Sequence, residues 1–271
     1  MYQETLLFGV GFYEIFITIA LIGVLFLADK MAVKRVFSIG LQRVLICSIM
    51  IAVAVGFLGA IFFQAIYRWI ETGVFSMQSG MTFYGGILFG AAAFLLFWFF
   101  GSKLFKVQQE AKQHFKDVAD IAAVMIPMAH GLGRIGCLFA GCCHGKLTDA
   151  WYGIVHHHVV VDGVYYETAK VVPIQLFEAL FLFLLAGALA ALFFYHGKRS
   201  EKRFPLLPTY LVVYGIWRYF IEYARGDSRG ETIVSFWSPS QLIAVLFIVV
   251  GIVYFCFWIF IFRKGSKDVK E

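Results

Sequence analysis

Seven continuously apolar segments divide the chain. A hydrocarbon core about 30 Å thick needs roughly 20 apolar residues per helical span, and each segment is close to that length. The segments are continuously apolar rather than alternating, which favours helices over a β-barrel. The pattern predicts an all-α polytopic membrane protein, with about seven transmembrane helices in one integral membrane domain over 1–271. The predicted spans are about 8–28, 44–66, 82–101, 119–141, 174–195, 206–225 and 240–262.

The composition excludes several other classes of protein. Of the 271 residues, 61% are hydrophobic and 15% are charged, and the mean hydropathy is +0.80. A soluble globular domain has about 45–50% apolar and about 25% charged residues. The chain is therefore neither a soluble domain, nor a disordered segment, nor a small secreted domain held by disulfides.

The basic residues predict the orientation of the spans. Sixteen of the 23 lysines and arginines follow the first, third, fifth and seventh spans, so they all lie on one side of the membrane. The positive-inside rule makes this side cytoplasmic, with the N-terminus outside and the C-terminus in the cytoplasm. The net charge of +6 then reflects topology and requires no nucleic-acid partner. Glu4 precedes the first span where a signal peptide would be basic, so we expect this span to remain as an anchor.

The segment 142–173 is long enough to form structure between two spans. β-Branched and aromatic residues flank Asp162-Gly163 within it. An Asp-Gly pair between such runs is typical of a two-residue hairpin turn. We expect a small β-element on the outer face of the membrane.

Ionisable residues inside the spans are costly and indicate function or pairing. Arg218 and Glu222 are four residues apart on one predicted helix and can form a structural ion pair. Arg225, seven residues after Arg218, lies on the same face of this predicted helix. One glutamate does not neutralise two arginines. A phosphate group would supply the missing negative charge. The other ionisable residues of this kind are Glu14, Arg134 and Glu178.

The segment from His130 to Gly145 contains five glycines. Glycine allows close helix packing and also lets a chain unwind around a ligand. We expect Arg134, within this segment, to project into a polar cavity between helices. Gly85 and Gly86 open the third span from the outside and indicate the same lipid-accessible cleft.

Five segments together resemble the prolipoprotein diacylglyceryl transferase family. The run GRIGCLFAGCCHG, from Gly133 to Gly145, is similar to the family signature G-R-[IL]-G-N-F-[IA]-N-G-E-x-x-G. The other four occur in the family's order along the chain. They are Tyr13 in the first span, Phe83-Tyr84-Gly85-Gly86, Pro173-Ile174-Gln175-Leu176-Phe177-Glu178, and Tyr214-Gly215-Ile216-Trp217-Arg218 followed by Glu222.

The resemblance implies an activity and its partners. Members of this family transfer a diacylglyceryl group from phosphatidylglycerol to the cysteine thiol of a prolipoprotein lipobox and release glycerol phosphate. The implied location is the bacterial cytoplasmic membrane, and the implied partners are phosphatidylglycerol, the lipobox segment and membrane lipids. No metal or organic cofactor is called for.

The resemblance also implies roles for individual residues. Arg134 and Arg218 would neutralise the phosphate, and Glu178 and Glu222 would orient arginines or polar groups. The predicted catalytic residues are Arg134, Arg218, Tyr84 and Glu222. The predicted substrate-binding residues are Tyr13, Gly85, Gly86, His130, Gly133, Gly136, Gly145, Gln175, Glu178, Tyr214 and Arg225.

Four departures from the family pattern affect polar positions of the implied site. Cys137 and Ala140 replace asparagines, and Cys142 replaces a glutamate. Tyr84 occupies a position at which many members have a histidine, which leaves His130 and His144 as candidate bases. The departures are compatible with a divergent branch that uses another thiol acceptor or lipid.

The five cysteines have several interpretations. Cys47 and Cys256 lie within spans and are expected to pack as apolar residues. For Cys137 and either Cys142 or Cys143, we favour a similar explanation, as small residues at a crowded helix interface. A redox pair or a metal site with His144 remain the alternatives. His156, His157 and His158 resemble a metal-binding tract in composition, but neighbouring side chains of a strand point to opposite faces. We therefore expect these histidines in a surface loop.

Two other functions remain open. A membrane thiol oxidoreductase would use Cys142 and Cys143 and would not need Arg134. A non-catalytic protein for binding or transport of anionic phospholipids would use the arginines without consuming the lipid.

Overall fold

A computed structural model of the protein describes residues 11–78, 80–196, 204–226 and 237–267. Helices make up most of it, and a two-stranded antiparallel sheet interrupts them. The helices are α1 Phe12–Lys34, α2 Ile39–Thr72, α3 Phe83–Leu104, α4 Gln108–Gln113, α5 Phe115–Ala140, α6 Ile174–His196, α7 Leu206–Ile221 and α8 Pro239–Lys267. The strands are β1 Ile154–Val161 and β2 Val164–Val171. A 3-10 turn, Glu222–Ala224, continues α7.

Six helices of the described residues are long and apolar enough to cross a membrane: α1, α2, α3, α5, α6 and α8. Each coincides with one of the predicted spans, so the prediction of a polytopic helical membrane protein is confirmed. The remaining predicted span, 206–225, contains α7, which is helical but has 16 residues. The chain is thus a multi-pass membrane protein.

The fold divides into two compact units. The first unit combines Met1–Val24 with Ala119–Glu271, and the second unit is Leu25–Val118. In the second unit, α2 and α3 pack through glycines. A Cβ on Gly85 would lie 2.7 Å from the Gly59 carbonyl oxygen, and one on Gly56 would lie 3.0 Å from that of Gly86. Small residues of this kind let two membrane helices approach closely.

In the first unit, α7 and α8 pack in a similar manner. A Cβ on Gly215 of α7 would lie 2.8 Å from the carbonyl oxygen of Ala244 in α8. On α5, a Cβ on Gly131 would lie 2.8 Å from the ring of Phe183 in α6, and one on Gly136 would lie 3.0 Å from Tyr13 in α1. The glycines of α5 serve helix contacts. The sequence also allowed these glycines to let the backbone unwind. The helix is continuous to Ala140, so no unwinding occurs before that residue.

The β-hairpin was predicted from Asp162-Gly163, and this prediction is confirmed. Asp162 and Gly163 connect the strands with φ values of 49° and 82°, as a tight hairpin turn of this type requires. Val161 pairs with Val164 at the turn, and Ile154 pairs with Val171 at the other end. One face of the hairpin is apolar and buried, formed by Val159, Val161, Ala169 and Val171 with Tyr166 packed against them.

Candidate active site

A fully buried carboxylate, that of Glu178 in the first turns of α6, connects three helices. Its Oε2 lies 3.0 Å from Nε of Arg134, and an Nη of Arg134 donates to its Oε1 at 3.2 Å. The Tyr214 hydroxyl donates to the same Oε1 at 3.2 Å. Nε2 of His130, one helical turn before Arg134, lies 3.7 Å from that oxygen. These contacts hold α5, α6 and α7 together around the charge of Arg134.

A second carboxylate, that of Glu222, lies where α7 ends. An Nη of Arg218 lies 2.6 Å from its Oε2, and Nε of Arg225 lies 3.9 Å from the same oxygen. The i, i+4 pair expected from the sequence is therefore present, and Arg225 joins it from the other side. The three side chains are at most 8% exposed.

Ser238, which was not among the residues predicted from the sequence, also contacts Glu222. Its hydroxyl donates to Glu222 Oε1 at 2.8 Å. Ser238 Oγ accepts from the Gln241 backbone NH at 3.2 Å, while Gln241 Oε1 accepts from the Ser238 NH at 3.0 Å. This reciprocal pair is a capping box at the start of α8. The Ser-x-x-Gln spacing in the sequence was the signal that could have revealed it.

The two carboxylates and three arginines form one electrostatic group. Glu178 interacts with Arg218 and Arg225 as well as with Arg134, and the charges of Arg134 and Arg225 repel each other. Three guanidinium groups against two carboxylates leave one positive charge. One Nη of Arg218 is buried and has no hydrogen-bond partner within the described residues. The group is thus suited to bind a singly charged anion such as a phosphate diester.

The chain turns back immediately after α5. The Gly141 NH donates to the Leu138 carbonyl at 3.3 Å, and the Cys142 NH donates to the Cys137 carbonyl at 3.2 Å. Gly141 has φ 71°, so this is a Schellman motif, which brings the side chains at its two ends together. Those side chains are Cys137 and Cys142. Their sulfur atoms and that of Cys143 all lie within 4.8 Å of one another.

The turn is fixed to α6 and to the end of α7. The Gln175 amide donates to the Cys142 carbonyl at 2.7 Å. Gly145 forms an antiparallel bridge with Arg225, and Leu147 forms one with Val171 of β2. A Cβ on Gly145 would lie 2.7 Å from the Val172 side chain, so close backbone approach explains this glycine. Strand-like pairing therefore determines the position of the Arg225 backbone.

His156 is fully buried, whereas His157 and His158 are exposed as expected. The two exposed histidines form hydrogen bonds across the hairpin, His157 with Thr168 and His158 with Tyr165. The ring of His156 packs 6.1 Å from that of His144. Burial, together with the neighbouring His144, lowers the pKa of His156 from 6.5 to about 4. The expectation of a surface position was therefore wrong for His156, because its side chain points to the buried face of the hairpin.

The remaining predicted residues fall into three groups. Tyr13 is within electrostatic range of Arg134 and of the three clustered thiols. Gly133 and Gly136 face Ile17 and Tyr13 of α1, respectively. Gly85 and Gly86 belong to the second unit and pack against α2, and the side chain of Tyr84 lies outside the described part of the structure.

An apolar groove lies between α7 and α8. Its volume is about 350 Å³. Ile216, Tyr219 and Phe220 line it from α7, and Trp237, Val245 and Ile248 line it from the other side. A hydrocarbon chain of a lipid is the kind of ligand that such a surface can take.

Comparisons with known proteins give one consistent result. A family model described as "Prolipoprotein diacylglyceryl transferase" matches residues 4–257. A phosphatidylglycerol–prolipoprotein diacylglyceryl transferase of Clostridium tetani is 32% identical over 191 residues, covering 69% of this chain and 67% of the relative. One from Clostridioides difficile is 25% identical over 252 residues, 90% of each chain. The Clostridium perfringens protein with this name and the suffix 2 is 29% identical over 177 residues, or 65% of this chain and 62% of its own length.

Proposed function

Since this chain belongs to the prolipoprotein diacylglyceryl transferase family, we propose that it transfers a diacylglyceryl group from phosphatidylglycerol to a cysteine thiol of a prolipoprotein. The acceptor cysteine is that of the lipobox segment, and the other product is glycerol phosphate. The observation that carries the proposal is the excess of arginine over glutamate in the group formed by Arg134, Arg218, Arg225, Glu178 and Glu222.

The arginines bind the phosphate of the lipid. Phosphatidylglycerol has a phosphate diester with one negative charge, which matches the one uncompensated positive charge of the group. Arg134 and Arg218 contact the phosphate oxygens through the guanidinium atoms that their glutamates leave available, and Arg225 adds to the positive field. Glu178 and Glu222 fix the planes of the guanidinium groups before the lipid arrives, so little reorganisation is needed during the reaction.

The reaction is a substitution at the carbon of the diacylglyceryl group that carries the phosphate oxygen. The acceptor sulfur forms a C–S bond, the C–O bond to the phosphate breaks, and the phosphate oxygen takes the electron pair. The leaving glycerol phosphate gains negative charge as this bond breaks. The arginines stabilise that developing charge, and such preorganised electrostatic stabilisation is usually a large part of catalysis.

The lipid enters sideways from the bilayer. The apolar groove between α7 and α8 accepts one acyl chain, and the headgroup contacts the arginines. Tyr84 has the catalytic role that the family motifs imply. The substrate-binding roles they imply belong to Tyr13, Gly85, Gly86, His130, Gly133, Gly136, Gly145, Gln175 and Tyr214.

The protein acts in the bacterial cytoplasmic membrane, with its N-terminus outside and its C-terminus in the cytoplasm. Sixteen basic residues on one side support this orientation. The hairpin and the thiol turn then face outward, where a translocated prolipoprotein presents its cysteine.

The test is a transfer assay in vesicles of phosphatidylglycerol. Purified protein is incubated with a peptide containing a lipobox cysteine, and mass spectrometry follows the diacylglyceryl adduct and the release of glycerol phosphate. We expect Arg134→Ala and Arg218→Ala each to lower kcat/KM by about 100-fold or more. Arg43→Ala, an exposed arginine on α2, is the matched control and should retain wild-type turnover.

Three results would contradict the proposal. No adduct with any anionic phospholipid excludes the transferase. Movement of labelled lipid between leaflets without its consumption indicates a transport protein. Disulfide exchange that requires Cys142 and Cys143 but not Arg134 indicates an oxidoreductase.

A further inference from the structure

Three thiols converge at the outer end of α5. Cys137 lies in the last turn of the helix, and Cys142 and Cys143 follow it in the turn. All three sulfur atoms lie within 4.8 Å of one another. Cys142 is exposed and the other two are half-buried. The five cysteines of the chain, all of them described, are free thiols, so the cluster is not committed to a disulfide.

The spacing of the sulfur atoms suits a soft metal ion. Zn–S bonds of about 2.3 Å in tetrahedral geometry place thiolate sulfurs about 3.8 Å apart, a distance reached from this arrangement by small side-chain rotations. The backbone already favours the convergence, because the Schellman motif returns Cys142 to Cys137, and Cys143 follows in a left-handed conformation with φ 60°. Three protein ligands with one open position are the arrangement of catalytic zinc sites.

Backbone and side-chain contacts connect the turn that carries the thiols to the elements that carry the arginines. Gly145, two residues after Cys143, forms a backbone bridge with Arg225. The Cys142 carbonyl accepts from Gln175, one turn before Glu178 on α6. A ligand bound at the thiols is therefore a neighbour of a phosphate bound at the arginines.

We propose that Cys137, Cys142 and Cys143 bind a zinc ion whose fourth coordination position takes the acceptor thiol of the prolipoprotein. This inference rests on the proposed transfer function and supplies the activation of its nucleophile. Zinc coordination deprotonates a thiol outright, so the acceptor attacks as a thiolate without a separate base.

The atoms and electrons of this step balance. On coordination the acceptor S–H gives its proton to water. A lone pair of the bound sulfur forms the C–S bond, and the electron pair of the broken C–O bond goes to the phosphate oxygen. The product thioether is neutral and a weak ligand, so it leaves the metal. The step needs no oxidant or reductant.

Metal binding can be measured on the full-length protein in detergent. Reduced wild-type protein is loaded with Zn²⁺, dialysed and analysed for metal, and Co²⁺ is used as the spectroscopic probe. We expect about one metal per chain, with thiolate-to-cobalt charge-transfer bands. Cys143→Ala and Cys137→Ser should abolish both signals. Cys256→Ala and Cys47→Ala, which remove thiols outside the cluster, should retain both.

The acceptor position has its own readout. A lipobox peptide should shift the cobalt spectrum of the wild-type protein, whereas the same peptide with serine in place of cysteine should not. The metal site is overturned if the wild type and Cys143→Ala contain the same amount of metal. It is also overturned if protein purified with zinc has a disulfide within the cluster. An unchanged cobalt spectrum with the thiol peptide overturns its role as acceptor site.

The transfer assay separates this inference from the proposed function. Chelator-treated protein, which avoids any folding defect of a variant, should lose at least about 100-fold in rate and recover it with Zn²⁺. Full activity without metal overturns the zinc proposal while the transferase stands. Metal binding and the peptide-induced shift without any lipid transfer support the site and exclude the transferase.

Discussion

Glu178 Oε2 lies 3.0 Å from Nε of Arg134, and the two residues are 44 positions apart in the chain. The carboxylate is fully buried and the guanidinium is 11% exposed. An ionisable group inside a membrane-spanning helix is costly without a partner. The pair therefore fixes both the helix packing and the direction of the guanidinium group.

Glu178→Gln preserves the shape of the side chain but removes its charge. Loss of one partner of a buried ion pair destabilises a protein by about 3–5 kcal/mol. We expect a lower unfolding temperature in detergent and a lower kcat/KM, because Arg134 loses its orienting partner. Glu167→Gln, on the exposed side of β2, is the control. Wild-type unfolding and turnover of Glu178→Gln would show that the pair is dispensable.

Arg218→Lys preserves the charge but loses the planar arrangement of donors. A charge-assisted hydrogen bond is worth about 1.5–3 kcal/mol, so Arg218→Ala should raise the KM for phosphatidylglycerol by roughly 10- to 100-fold. Lysine should give an intermediate KM, because one ammonium group cannot bind phosphate in the bidentate manner of arginine. The KM for the peptide acceptor should change little. Equal kinetics for the lysine variant and the wild type would argue against bidentate phosphate binding.

Gly215→Ala should disrupt the contact of α7 with α8. The new methyl group would lie 2.8 Å from the carbonyl oxygen of Ala244 and from Ile248, and overpacking of this kind costs about 1–3 kcal/mol. In Gly187→Ala, on α6, the new methyl group meets nothing within 4 Å. Thermal unfolding in detergent should therefore separate the two substitutions. If they have the same effect, helix propensity rather than contact determines the outcome.

The hairpin should lose stability in acid because of His156. Its folded pKa is about 4 against an ordinary value of 6.5. Between these pH values the unfolded hairpin takes up a proton that the folded one does not, so the stability is complete above pH 6.5 and falls as the pH approaches 4. Hydrogen exchange of the hairpin amides measures this loss. His156→Phe should remove the pH dependence, and His158→Phe, at an exposed position, should preserve it. An unchanged dependence in His156→Phe would assign it to other groups.

Local sequence patterns predicted the local parts of this structure. Apolar runs predicted the membrane helices, and Asp162-Gly163 predicted the hairpin. The spacing of Arg218 and Glu222 predicted their ion pair. Each of these signals depends on neighbours within a few residues.

Long-range contacts were outside the reach of such patterns. The sequence identified Arg134 and Glu178 separately, but their contact depends on how α5 packs against α6. The convergence of Cys137, Cys142 and Cys143 depends on a left-handed turn that the sequence marks only by Gly141. His156 is one of three consecutive histidines, and only the docking of the hairpin distinguishes the buried one.

The backbone bridge between Gly145 and Arg225 has a consequence for turnover. An arginine on a free loop could travel with a departing anion and would have to return before the next cycle. Arg225 is held by strand pairing, so its charge stays behind when glycerol phosphate leaves. On the proposed reaction, the emptied site is then electrostatically ready for another lipid without any conformational reset.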